Sequence, residues 1–210
     1  MNEQLWWYAA RSGGLVAWAL LSASVIWGLM LSGKVRPGHV RPNWILDLHR
    51  FLGGLAAIFT AVHVITIMAD TYTQFGVADV LVPFVSSWKP GAVAWGIVGM
   101  YLLAAVEITS LLKKRLPHTV WRRVHVLSLP LYAVATVHLV QAGTDASNTI
   151  VTTAVIAVTA TVAGLAGWRV SELRRRSASV LRCSTTAPAR SNVASSAVST
   201  DRRTPTCRPC

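Results

Sequence analysis

The chain alternates long uncharged runs with short polar connections. Five windows stand out: Gly13–Leu31, Phe51–Ala69, Gly91–Leu112, Val124–Val140 and Thr149–Trp168. The first and last hold no charged residue. The second holds His63, the third one acid, Glu107, and the fourth His125, Pro130 and His138. At about 1.5 Å of rise per residue each window approaches the ~30 Å of hydrocarbon that a membrane helix must cross. The last window is rich in Val and Thr, which favour strands in water. A segment in lipid must bond its own backbone, so helix is expected there too. The apolar runs are continuous rather than alternating, which argues against a β-barrel. The pattern predicts an all-α, polytopic membrane helical bundle of about five transmembrane helices.

Composition agrees. Of 210 residues, 53% are hydrophobic and 13% charged, against roughly 25% charged in soluble domains. A soluble enzyme, a secreted disulfide scaffold and a disordered chain are excluded. Charge then sets direction. Lys34, Arg36 and Arg41 fill the first connection, with Arg50 just inside the next helix. Asp70, Asp79 and Lys89 fill the second, Lys113, Lys114, Arg115, Arg122 and Arg123 the third, and Asp145 the fourth. Arg169 and Arg174–Arg176 follow the last span. Basic and non-basic connections alternate, which predicts an external N-terminus, a cytoplasmic C-terminus and a multi-pass protein of the plasma membrane. Trp6, Trp7 and Tyr8 then belong to the outer aromatic belt, and Trp44, Trp121 and Trp168 to the inner one. The net charge of +12 follows from topology. Its natural partner is the lipid membrane and not a nucleic acid, which would need the bases gathered on one face.

Three regions are expected: an interfacial segment over 1–12, a membrane domain over 13–168 and a basic, disordered cytoplasmic tail over 169–210. The N-terminus lacks the basic region and cleavage site of a secretory signal and reads as part of the first helix. The tail is Ser-, Thr-, Ala-, Arg- and Pro-rich without apolar periodicity. Its Cys207 and Cys210 have C-x-x-C spacing, and one such pair is weak evidence for metal or redox chemistry.

The histidines carry the chemistry. His39 and His118 fall in basic connections, whereas His49 and His63 lie on the second span and His125 and His138 on the fourth. By the charge rule these two spans run the same way, so the histidines pair by depth. His49 and His125 sit beside arginines near the inner boundary. His63 and His138 each stand seven residues before an aspartate, about 10 Å below the outer boundary. Ionisable residues inside spans are costly and mark function by default. His49 and His63, fourteen residues apart, fall within about 40° of each other on an ideal helix. Gly53, Ala56, Ala57 and Thr60 lie between them, either to admit a flat ligand or for ordinary helix packing. His125 and His138, thirteen apart, diverge by about 140°, so a kink at Pro130, or local overwinding, is expected to re-aim His138.

Two imidazoles per layer leave zinc or copper short of ligands. Haem brings four equatorial nitrogens and asks only for axial ligands. Without C-x-x-C-H, attachment is non-covalent, as in a b-type haem. Arg50, Arg122 and Arg123 are candidates for pairing haem propionates, or serve as membrane anchors. Glu107 either assists proton uptake near the inner site or, the favoured reading, snorkels to the cytoplasmic interface.

His49-x13-His63 and His125-x12-His138, with Asp47-Leu48-His49-Arg50-Phe51-Leu52-Gly53 and Arg122-Arg123-Val124-His125 around them, resemble the ferric reductase-like transmembrane domain. That domain is shared by ferric-chelate reductases and the NADPH oxidase membrane core. The resemblance covers about residues 10–168. It implies two b haems, an inner one on His49 and His125 and an outer one on His63 and His138, passing electrons across the membrane to an external acceptor such as ferric iron. No nicotinamide-binding G-x-G-x-x-G unit accompanies them, so a separate reductase or membrane quinol is the expected electron donor. Two alternatives stay open: the haem b membrane subunit of a periplasmic methionine sulfoxide reductase system, and a metal-ion permease that uses the four histidines as transport ligands.

Overall fold

A computed structural model describes residues 2–33, 42–70, 75–144 and 148–186. Lys34, Arg36, His39, Arg41, Asp145, Cys207 and Cys210 lie outside the described residues. The described chain is helical: α1 (Asn2–Gly33), α2 (Pro42–Ala69), α3 (Val77–Leu81), α4 (Pro90–Leu111), α5 (His118–Val126), α6 (Ser128–Ala142) and α7 (Thr149–Thr186). Five segments are long and apolar enough to cross a membrane, with α5 and α6 together making the fourth. Large apolar side chains point outward along them, including Ile58, Ile65, Ile150 and Ile156. Lipid is as apolar as a protein interior, so such exposure carries no penalty there.

The first and last helices outrun the expected boundaries. α1 begins at Asn2, so the segment expected to lie at the interface is its first turns. At that end the Arg11 guanidinium stands 4.1 Å above the Trp7 ring. α7 continues beyond Trp168 to Thr186, where a disordered tail was expected. A preformed helix propagates at little cost, and Glu172 pairs with Arg176 one turn on, at 3.1 Å. The membrane bundle lies in one compact unit that ends at Ser171, and the end of α7 from Glu172 belongs to a second.

Within the first unit α1 and α2 pack along one another, α4 packs on α5 and α6, and α1 also touches α6. The core draws one layer from every long helix: Leu21 and Val25, Ala56, Leu103, Leu131 and Tyr132, and Val162. Ala56 and Leu131 are its most buried members, at 1% and 2% exposure. Trp18 of α1 stacks on Tyr132, with centroids 6.5 Å apart, and donates its indole N–H to the Thr136 hydroxyl at 3.0 Å. Tyr132 in turn shares a hydrogen bond with Thr159 of α7, at 3.0 Å.

The fourth span breaks at Leu127, one turn before the expected kink site. Pro130 has no N–H for the carbonyl of Val126, and its ring crowds that turn. Leu127 N–H bonds back only three residues, to Val124 at 2.9 Å, and the regular ladder resumes with Leu131 N–H on Leu127 at 2.9 Å. The strain of Pro130 is thus absorbed in the turn before it.

Trp18→Phe removes the α1–α6 hydrogen bond while keeping most of the ring. It is expected to cost about 0.5–1.5 kcal/mol, read as a lower thermal unfolding midpoint in detergent.

Candidate functional site

The bundle brings the four span histidines together in two pairs. His49 and His125 have ring centroids 5.9 Å apart and planes at 83°. His63 and His138 are 6.4 Å apart at 74°. The pairing by depth expected from spacing and charge is therefore the pairing the helices make.

One rule orients three of the four rings. The Nδ1–H of His63 donates to the carbonyl of Ala10 at 2.7 Å, that of His49 to Ser24 at 2.9 Å, and that of His138 to Ala92 at 2.8 Å. Each carbonyl belongs to a neighbouring helix and has a second lone pair beyond the one used in its own helix ladder. Since a carbonyl only accepts, Nδ1 must carry the proton. Nε2 is then the atom with a lone pair for a ligand.

The approach needs bare backbone. Every Cα–Cβ bond leans toward the helix N-terminus, so residue i+4 covers the carbonyl of residue i. Four residues after Ala10, Ser24 and Ala92 stand Gly14, Gly28 and Gly96. A Cβ at Gly96 would lie 2.6 Å from His138 Cε1, at Gly14 3.0 Å from His63 Cε1, and at Gly28 3.2 Å from His49 Cε1. Each imidazole occupies the space a side chain would take. The fourth ring is the exception that follows the same logic. Ser110 stands where a glycine would, fourteen residues after Gly96, and its hydroxyl meets His125 Nδ1 at 3.4 Å. The side chain that blocks the carbonyl supplies the oxygen instead.

The two ends differ. Around His63 and His138 lies a cavity of about 520 Å³, almost wholly apolar, lined also by Gly14, Trp18, Gly96 and, toward the end of the bundle, Arg11, Asp70 and Trp88. Phe75, Asp79 and Trp88, between α2 and α4, line that end, where Lys89 Nζ donates to the Gln141 carbonyl at 3.2 Å. Around His49 and His125 polar and aromatic side chains stand close to the rings. Ser24 Oγ lies 3.2 Å from His49 Nδ1. Trp121 stacks on His125, with centroids 5.0 Å apart and planes within 22°, while Lys113 Nζ sits 3.9 Å from the Trp121 ring centre.

Other expected site residues fall elsewhere. Arg50, Arg122 and Arg123 are exposed, and Arg50 faces Asp47 of its own helix at 3.8 Å. Glu107 does not snorkel past the end of α4. Its carboxylate lies between α4 and α2 over Gly53, where a Cβ would come within 2.8 Å of Oε1. It borders a second cavity of about 290 Å³ with Ala57, Thr60 and Met100. Sequence reasoning missed Gly14, Gly28, Gly96 and Ser110. Their signal was the fourteen-residue step, which repeats the step from His49 to His63.

Opposed imidazoles, three of them with the Nε2 lone pair free, suit a metal that brings its remaining donors with it. Among the described residues no group of three or more His, Cys, Asp or Glu side chains is placed to hold a bare ion. The family model of the ferric reductase like transmembrane component matches residues 13–136, more than half of the chain. The chain belongs to that family. The match includes His49, His63, His125, the three glycines and Ser110, and stops two residues before His138. No curated protein and no solved structure matches this ferric reductase-like chain.

Alanine at these glycines is expected to destabilise by about 1–3 kcal/mol at most through overpacking. The order follows the clearances, Gly96→Ala worst, then Gly14→Ala, then Gly28→Ala, and thermal unfolding of the three variants checks it.

Proposed function

We propose that this ferric reductase-like protein carries electrons across the membrane through two b-type haems. His49 and His125 would hold the inner one, and His63 and His138 the outer. Membership in the family supports transmembrane oxidoreductase chemistry. The observation that carries the finer reading is the geometry of the pairs. Metal–imidazole bonds of about 2 Å on either side of one metal leave facing ring centres roughly 6 Å apart. The rings here stand at 5.9 and 6.4 Å, with Nε2 as the free donor on His49, His63 and His138. The cavity beside His63 and His138 and the glycines behind three of the rings are consistent with a flat, largely apolar guest.

When bound, each haem supplies a one-electron couple whose potential depends on axial ligation, burial and nearby hydrogen bonds. The chain's own residues do the rest. The carbonyls of Ala10, Ser24 and Ala92 lock three of the imidazoles and raise their basicity as ligands, and the Ser110 hydroxyl stands beside the fourth. Leu21, Ala56, Leu103 and Leu131 put an apolar layer between the two pairs, which disfavours water and ions there. Fourteen residues of α2 separate the levels by about 21 Å along the axis, dividing the bilayer into shorter steps.

By the positive-inside argument the His49–His125 pair faces the cytoplasm, and the reading takes the membrane to be the plasma membrane. A separate reductase or membrane quinol gives electrons there, and an external acceptor such as chelated ferric iron takes them from the His63–His138 level.

Purified protein is expected to bind two haems per chain, seen by pyridine haemochrome quantitation and a reduced-minus-oxidised spectrum. His63→Ala and His138→Ala should each lose the outer haem and keep the inner one, and His49→Ala and His125→Ala the converse. A wild-type preparation without haem, or two haems retained in all four variants, overturns the reading.

A further inference from the structure

Near the His49–His125 pair one buried polar atom has nothing to bond. Among the described residues the indole nitrogen of Trp121 is the buried side-chain nitrogen or oxygen left without a hydrogen-bond partner. Unpaired buried donors are rare and costly, and each calls for an explanation. An indole N–H only donates, so what is missing is an acceptor.

The surroundings state its charge. Lys113 Nζ stands 3.9 Å from the centre of the same ring. Lys114, Arg115, Arg122 and Arg123 lie on the turn between α4 and α5 and on the first turns of α5. Lys113 alone would be an ordinary cation–π contact at an interface. Combined with an orphaned donor on the ring it covers, it marks a place for an anion. The position names the anion's source. Trp121 lies one helical turn before His125 and stacks on its ring, 5.0 Å away, so a macrocycle held by that imidazole would bring its peripheral groups within reach of the indole.

We infer that Trp121 and Lys113 form a carboxylate anchor for the inner haem: the indole N–H donates to one of the macrocycle's propionates, and the ammonium compensates its charge. The inference rests on the haem reading above and replaces Arg50, Arg122 and Arg123 as the propionate partners. Trp121 and Lys113 are positioning residues. They act by holding the acid groups and by offsetting negative charge near the metal, which favours the reduced state.

The test uses full-length protein and resolves the two haem potentials by spectroelectrochemistry. Trp121→Phe keeps a ring against His125 and removes only the donor. It should lower the potential of the inner haem, leave that of the outer haem unchanged, and weaken retention of the inner haem about tenfold. The propionate bands in the reduced-minus-oxidised infrared difference spectrum should shift with it. Lys113→Met, at an exposed residue, should lower the same potential without loss of either haem, and it carries the test if Trp121→Phe fails to fold. Two haems with the inner potential and propionate bands as in wild type would overturn the anchor and leave the haem reading standing. A wild-type protein that binds no haem would overturn both.

Discussion

An imidazole N–H inside hydrocarbon must be bonded, and water is not there to do it. In this bundle the partner is a helix carbonyl that already accepts one bond in its own ladder. The choice has two consequences. It fixes the tautomer, leaving Nε2 with the free lone pair. It also obliges the helix that lends the carbonyl to give up a side chain four residues later, because that Cβ would stand where the imidazole enters. Gly14, Gly28 and Gly96 are the form this obligation takes, at separations that leave 2.6–3.2 Å for the missing atom.

The same spacing organises the rest of the bundle. Fourteen residues make nearly four helical turns, so a residue seven positions from each end of the step lies on the same side, halfway between. Leu21 stands midway between Gly14 and Gly28, Ala56 between His49 and His63, and Leu103 between Gly96 and Ser110. All three belong to the buried cluster, with Leu131 and Tyr132 at the corresponding place between His125 and His138. The bundle is thus two imidazole layers around one apolar layer, with α1 and α2 contributing in one register and α4 and the α5–α6 pair in another. The small Ala56 at the centre, 1% exposed, lets α2 come close to its neighbours where packing alone holds the helices together.

Much of this was legible in the residues. Continuous apolar runs give helices in lipid whatever their β-branched content, and arginines and aspartates at the span ends were enough to sort the histidines by depth. The glycines were not legible. Glycine is common in membrane helices and at their contacts, and its role appears only when the antiparallel register of α1 on α2 sets Gly14 against His63 and Gly28 against His49. Trp121 was hidden for a similar reason, since a tryptophan at a span end reads first as an interfacial anchor. The extension of α7 to Thr186 was missed because composition reports the lack of a buried face, whereas a helix already nucleated in the membrane needs none to continue for a few turns.

The fourth span shows how a mismatch is resolved. Its histidines are thirteen residues apart, one short of the step shared by the other three helices, and on an unbroken helix they would face different ways. Pro130 makes continuity impossible one turn upstream, and the break at Leu127 replaces one four-residue return with a three-residue one. Tightening the chain there turns α6 relative to α5. Both histidines then meet rings of the regular helix α2, at centroid distances within 0.5 Å of each other (6.4 Å against 5.9 Å). The chain meets the mismatch at the break, where its winding changes locally. A proline that elsewhere would weaken a span is here what lets a thirteen-residue spacing match a fourteen-residue one.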